Sequence, residues 1–249
     1  MQIIFGNYGN NTIALIQWAH LHQKNNVYVV HVETGFAASE WQTQVKKGQA
    51  LAKRYHFNAI ALQANPGLPE MILDRKRFPS SQFQWCVSFL KGLPFLQWLD
   101  QMDSSCEAEI WLPSRRADSR ARVHLPEAIE NSDYYGGRKV VYPLSRIDHH
   151  ERDALVANSG LELLTHRSLE CDPCIHSQLT DFSRLSEDTI SRVAALECQL
   201  QRPMFNAKHF NGNEGIRTVV KWAHLQNKEL ENNLETYDMG CGAVYACGE

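Results

Sequence analysis

The chain has 249 residues, 43% hydrophobic and 21% charged, with a formal net charge of -3. That is enough chain for a large buried core, and the composition excludes both a disordered tract and a collagen-like fibre. The charge balance argues against a surface that coats nucleic acid throughout, while leaving room for a local basic site. No apolar run approaches the ~20 residues that span a bilayer, so no membrane partner is expected. Met1–Phe5 has no charged n-region and no small-residue cleavage site, which makes the cytoplasm the expected compartment.

The predicted elements alternate from the start. Met1–Phe5 is a short apolar run that ends in a Gly/Asn-rich loop, Gly6–Asn11, and a helix over Thr12–Lys24 follows, with Thr12 in the N-cap region. Val27–Glu33 is a β-branched run of the kind found in buried strands. Ser39 with Gln42 three residues on has a capping-box pattern and opens a helix to about Tyr55. Asn58–Leu62 is a third strand. Asn65–Pro69 reads as a turn and Arg75–Arg77 with Pro79, Ser80 and Ser81 as a basic loop. Phe83–Leu99 has helical spacing with an interruption at Gly92–Pro94. Glu109–Leu112 and Lys139–Tyr142 complete a set of about five strands, separated by an arginine-rich loop, Pro113–Pro126. Helices follow at His149–Asn158, Ser186–Gln201 and Asn213–Lys228. The alternation predicts an α/β fold, a Rossmann-like parallel sheet with flanking helices and a helical and loop C-terminal region. The expected division is a nucleotide-binding domain over residues 1–165 and a C-terminal region over 166–249.

Seven cysteines are too many to dismiss in a reducing compartment, where metal binding or catalysis accounts for clustered thiols better than disulfides do. Cys171-Asp172-Pro173-Cys174 can place two thiolates on one metal or form a redox dithiol. It does not sit between a strand and a helix near the start of a βαβ unit, which disfavours a thioredoxin-like site. His176 is one residue too late for c-type haem attachment. Cys106 and Cys198 read as structural small hydrophobes. Trp18, Trp98 and Trp222 read as core, and His149-His150 as a polar surface.

Two loops carry the candidate anion chemistry. The turn Gly6-Asn7-Tyr8-Gly9-Asn10-Asn11-Thr12 sits between a strand and a helix, where backbone N–H groups and a helix N-terminus can face an anion. It matches neither a Walker A loop nor a GxGxxG fingerprint. The second loop places Arg115, Arg116, Arg120 and Arg122 within eight residues, a density suited either to a solvated surface or to bidentate recognition of phosphate and sulfate oxygens.

With Glu33-Thr34-Gly35 after the second strand, the first loop resembles the SGGxDS and DTG motifs of the adenine nucleotide α-hydrolase superfamily. That group includes the PAPS/APS reductases and the PP-loop ATP pyrophosphatases. The serine and aspartate of the family loop are Gly6 and Asn10 here, and the DTG aspartate is Glu33. The arginine loop followed by Leu125-Pro126 is similar to the RRxxSxSRxxLP segment of PAPS reductases. Tyr142-Pro143-Leu144 with Ile147-Asp148 and Gly160-Leu161 is similar to the PLxDW…HGL stretch that follows it. The likeness runs from residue 1 to about 175.

The resemblance implies a substrate site at Gly6, Asn7, Gly9, Asn10, Asn11, Thr12, Glu33, Thr34, Gly35, Arg116, Arg120 and Arg122, for PAPS, APS or ATP. Trp85-Cys86 with Lys91 and Pro94 resembles the CCxxxKxxPL motif of iron–sulfur APS reductases, with Val87 at the second cysteine. Cys86, Cys171 and Cys174 are then the implied ligands of a [4Fe-4S] cluster, which either keeps an open iron or takes a fourth ligand from the glycine-flanked tail, where Cys241 is the choice; zinc is the competing metal for four thiolates. Cys247 is the implied catalytic thiol, or an alternative ligand, although the family's ECGLH tail is absent. The implied activity is an oxidoreductase of the sulfonucleotide reductase type, served by a thiol reductant protein. A second expectation is ATP-dependent sulfur insertion into tRNA or DNA, with nucleic acid as the partner. A third is a degenerate, non-enzymatic nucleotide- or metal-binding protein.

Overall fold

The computed structural model describes residues 1–230. A six-stranded sheet runs through it in the order β3-β2-β1-β4-β6-β5. The first half is β1 (Gln2–Phe5), α1 (Asn10–Leu21), β2 (Val27–Glu33), α2 (Trp41–Arg54), β3 (Asn58–Gln63) and α3 (Leu68–Arg75). A π-helical turn, Val87–Gly92, leads into α4 (Leu93–Met102) and β4 (Glu109–Trp111). Two 3-10 turns, Arg116–Asp118 and Arg120–Arg122, precede β5 (Ala128–Ser132) and β6 (Arg138–Val141). The rest is α5 (His149–Asn158), α6 (Leu179–Phe182), α7 (Glu187–Leu200) and α8 (Ile216–Leu230).

Strand periodicity explains the layering. Successive side chains point to opposite faces, so each strand contributes to two cores. Ile3 and Phe5 of β1, Val30 and Val32 of β2, and Ile110 of β4 join α4, α7 and α8 on one face. Ile4, Val27, Val29 and Trp111 point the other way, onto α1, α2 and α5. Continuous apolar strands are what a sheet covered on both faces requires, and β2 is buried along most of its length. On the first face, Phe5 stacks on Phe95 with ring centroids 4.0 Å apart. Among the described residues, no helix is long and apolar enough to cross a membrane.

The predicted fold class matches this architecture, and four local expectations need correcting. A sixth strand, β5, pairs antiparallel with β6 at the edge of the sheet. Its sequence, AIENS, has no apolar run to announce it, and polar side chains suit an edge strand because they discourage further pairing. The segment after Pro66 is not only a turn, since α3 begins at Leu68 with Pro69 in its first turn, where a missing N–H costs nothing. The cap of α1 is Gly9 rather than Thr12, which lies buried inside the helix. Helix α2 starts at Trp41 behind Glu40, and the Ser39 hydroxyl donates to the Glu40 carboxylate instead of closing a capping box.

The order 3-2-1-4 places a topological switch point between β1 and β4. Chain connections leave β1 in one direction and β4 in the other, which opens a crevice at their carboxyl ends. The loop after β1, the segment after β2 and the arginine loop after β4 all emerge at that edge.

Candidate functional site

The loop after β1 is filled by its own side chains. Gly6 N–H continues the sheet by donating to the Val30 carbonyl at 3.1 Å. Asn7 N–H donates to Thr12 Oγ1 at 3.2 Å, and Gly9 N–H donates to Asn7 Oδ1 at 2.9 Å. Asn10 exchanges two hydrogen bonds with the Leu164 backbone, at 2.9 and 3.0 Å, and so ties the loop to the strap that follows α5. Tyr8 adopts a left-handed backbone with φ of 64° and is fully buried. Its ring lies where a Cβ on Gly48 of α2 would come within 2.1 Å of it, so only glycine fits at 48. The N–H groups of Asn10, Asn11 and Thr12 belong to the first turn of α1, which leaves them outside the helical ladder.

Beneath the loop lies a buried polar network. Lys91, on the π-turn, places Nζ 3.0 Å from both carboxylate oxygens of Glu170. Asn7 Nδ2 donates to the same carboxylate at 3.2 Å. The lysine and glutamate side chains are 2% and 5% exposed, so each supplies counter-charge to the other in a site closed to water. His31, midway along β2, has Nδ1 3.3 Å from the Gly6 carbonyl; because a carbonyl only accepts, Nδ1 carries the proton. Burial, which disfavours the charged imidazolium, lowers the His31 pKa to about 4.

The segment after β2 borders open space. A cavity of about 220 Å³ is lined by Glu33, Thr34, Gly35, Ser39, Gln42 and Trp41, with His31 and Glu170 at its inner end. Gly35 takes φ of 73°, and its Cα side faces Gly67 at a distance where a Cβ would sit 3.4 Å away. Thr34 is the hinge between this cleft and the cysteine loop. Its hydroxyl donates to the Glu170 carbonyl at 2.6 Å and accepts from Phe36 N–H, and Cys171 Sγ approaches it at 3.6 Å. A single parallel bridge pairs Phe36 with Cys171.

The arginine loop divides into two kinds of guanidinium. Asp118 accepts from Arg115 N–H at 2.6 Å, lies 2.7 Å from Arg115 Nη2 and 3.3 Å from Arg122 Nη1, and takes Asn11 Nδ2 at 3.0 and 3.1 Å. Arg115 also donates to the carbonyls of Ile147 and Asp148 and is fully buried. Arg115 and Arg122 therefore neutralise a carboxylate and brace the loop. Arg116 is half-buried and donates from Nε to the Leu125 carbonyl at 2.8 Å, while Arg120 is exposed. Of the expected anion-binding residues, Arg116 and Arg120 keep guanidinium surface toward solvent.

Cys171 and Cys174 flank Asp172–Pro173 in a loop packed against α7, where Arg192 Nη2 donates to the Asp172 carbonyl at 3.0 Å. Cys86 caps the π-turn whose Lys91 reaches Glu170, the residue before Cys171. That ion pair brings the two cysteine-bearing segments to one side of the cleft. All three thiols are half-buried, and thiols are the donors that iron–sulfur clusters and zinc prefer. Among the described residues, no three His, Cys, Asp or Glu side chains are grouped closely enough to hold a metal ion. Cys241 and Cys247 lie outside the described residues. Cys106 and Cys198 are exposed rather than packed in the core.

His31, Asp118 and Glu170 are the participants that sequence reasoning passed over. A histidine inside an otherwise apolar strand and a glutamate directly before the CxxC were the available signals. Asp118 was masked by the four arginines around it.

No family model matches the chain, and no curated protein matches it. Among solved structures it is similar to phosphoadenylyl-sulfate (PAPS) reductase from Candida auris in a phosphate complex, at 11% identity over 64% of this chain and 74% of that one, with a TM-score of 0.45. It is also similar to NMN synthetase from Francisella tularensis, at 8% identity over 94% of this chain and 88% of that one, with a TM-score of 0.48.

Proposed function

We propose that the chain is an enzyme that binds an adenine nucleotide in the cleft at the carboxyl ends of β1 and β2. One observation carries this reading. The 220 Å³ cavity opens at the carboxyl end of β2 and is bordered by Glu33, Thr34 and Gly35, the motif that the superfamily places after its second strand. A half-buried carboxylate at the end of β2 is suited to accept hydrogen bonds from ribose hydroxyls. The first-turn N–H groups of α1, at Asn10, Asn11 and Thr12, would face the phosphates, with Arg116 and Arg120 adding charge from the opposite loop. Gly6, Asn7 and Gly9 act by shaping the loop rather than by touching the ligand.

The substrate assigned is a sulfonucleotide, APS or PAPS. A Cys247 thiolate attacks the sulfur atom and forms an S–S bond. The S–O bond to the phosphate breaks, and AMP or its 3′-phosphate leaves with the electron pair. A second thiol, from a reductant protein, then releases sulfite and leaves a disulfide, so the two electrons come from thiols. A [4Fe-4S] cluster on Cys86, Cys171, Cys174 and Cys241 is a separate expectation of the resemblance: the three described thiols are not grouped closely enough to hold a metal ion as they stand, and no step of the reaction is routed through one.

Titration of the full-length, anaerobically purified chain with APS, PAPS and ATP tests the reading. Micromolar binding of APS or PAPS that weakens in Glu33→Gln is the expected result. Binding of ATP alone would replace reduction by ATP-dependent sulfur insertion, and binding of none would leave a degenerate module. Iron and sulfide analysis of the same sample tests the ligand set: Cys171→Ala should lose the cofactor and Cys198→Ala retain it. A colourless protein with stoichiometric zinc would overturn the cluster assignment.

A further inference from the structure

From residue 75 to residue 99 the chain contains no aspartate or glutamate, although the whole chain is net acidic. The same stretch begins with three consecutive cations, Arg75, Lys76 and Arg77, at the end of α3. The structure lays aromatic rings alongside them. The Arg75 guanidinium sits 4.3 Å from the Phe89 ring centroid and 4.8 Å from that of Trp85, and Arg77 sits 4.8 Å from that of Phe83. Phe83 and Phe89 are 52% and 41% exposed, which is uncommon for rings that could have packed inward. Lys76 and Arg77 are exposed as well. Asp74 is the adjoining acid, and among the described residues it forms no ion pair with Arg75 or Arg77. The result is a patch in which two exposed rings, Phe83 and Phe89, flank the stacked cations Arg77 and Arg75.

We propose that the patch Phe83, Arg77, Arg75, Phe89 is a docking surface for single-stranded nucleic acid. Successive bases have flat faces that stack on exposed rings, and the intervening phosphates need cations. A duplex hides its base faces within its own stack, so it would meet only the charges. The patch also has a direction. Phe83 and Phe89 lie three residues on either side of Cys86 in sequence, and Arg75 covers Trp85, its immediate neighbour. A strand held there would pass beside the π-turn that carries Lys91. The nucleotide cleft makes no contribution to this inference, so either reading can fail alone.

The experiment is fluorescence anisotropy with labelled 12-mer oligouridylate and oligothymidylate, and with a duplex of the same length, on the full-length chain. Both single strands should bind, more tightly than the duplex. Neutralisation of three phosphates sets a slope of log affinity against log salt of about -2. Phe83→Ala with Phe89→Ala should weaken binding about tenfold or more. Lys76→Glu with Arg77→Glu, both at exposed positions, should flatten the salt slope while circular dichroism stays unchanged. Absence of binding in low salt, equal affinity for the duplex, or wild-type affinity in both double variants would each overturn the proposal. So would photo-crosslinking from position 83 that captures residues 231–249 of the chain in place of the oligonucleotide.

Discussion

Two segments leave neighbouring strands at the same edge of the sheet and end up in opposite states. The Gly6–Thr12 loop after β1 is closed: Asn7, Asn10 and Asn11 spend their amides on Glu170, Leu164 and Asp118, and Tyr8 fills the space beneath α2. The Glu33–Gln42 segment after β2 keeps its polar side chains around a cavity. A glycine-bearing turn between strand and helix is therefore insufficient evidence for an open anion cradle. What decides is whether neighbouring side chains already satisfy the loop's donors, and asparagine, with both donor and acceptor, does this without a ligand. The loop is a structural wall, tied through Asn7 to the Glu170 that borders the cavity, and the segment after β2 furnishes the lining.

The contrast can be broken most forcefully from below. Glu170→Ala removes the carboxylate that faces the buried Lys91 ammonium and should cost roughly 3–5 kcal/mol in urea denaturation. Pairing it with Lys91→Met should recover most of that loss, because the buried ammonium is removed as well. A single variant as stable as wild type would show that the network does not hold the loop.

Gly48→Ala should cost about 1–3 kcal/mol, because its Cβ would overlap the Tyr8 ring and a fully packed aromatic cannot retreat cheaply. The loss should appear together with weaker nucleotide binding, since the closed loop would shift. Glu33→Gln should behave in the opposite way. We expect unchanged melting and about tenfold weaker nucleotide binding, the scale of one hydrogen bond to a charged group. If the two variants showed the same pattern, the division between wall and lining would collapse.

Acid stability gives a graded effect. The pKa of His31 falls to about 4 in the fold, so between pH 6.5 and pH 4 the unfolded chain binds the extra proton. The stabilisation is complete above pH 6.5 and is lost as pH drops toward 4. His31→Gln should therefore lose less stability than wild type across that window. Asp172 works against this slope, because burial raises its pKa to about 6 and its protonation on acidification favours the fold. It is common to both proteins, so the difference between their pH profiles isolates His31. Parallel profiles would place His31 in contact with solvent.

Much of the architecture was legible in the order of residues. Val27–Glu33 is apolar on both faces and can only be a covered strand, and the α5 and α7 boundaries follow from Asp148 and Ser186, whose side chains cap them at Glu151 and Thr189. The edge strand β5 was hidden because exposure removes the hydrophobic signal. Helix α3 was hidden because a proline can begin a helix as well as break one.

The candidate site was legible in its motifs and not in their wiring. Glu33, Thr34 and Gly35 stood out by their place after a strand, and they line the cleft. Sequence spacing also paired Cys86 with Cys171 and Cys174 across 85 residues; the Lys91–Glu170 ion pair links the segments that carry them, and the three thiols do not form a metal-holding group among the described residues. The fate of the arginines needed tertiary structure. Four equivalent side chains become two buried braces and two solvent-facing cations because Asp118 lies within reach of Arg115 and Arg122. Sequence alone determined the layers, since periodicity is a local property of the chain. Only the folded structure decided which polar groups remain available, because that depends on partners distant in sequence and close in space.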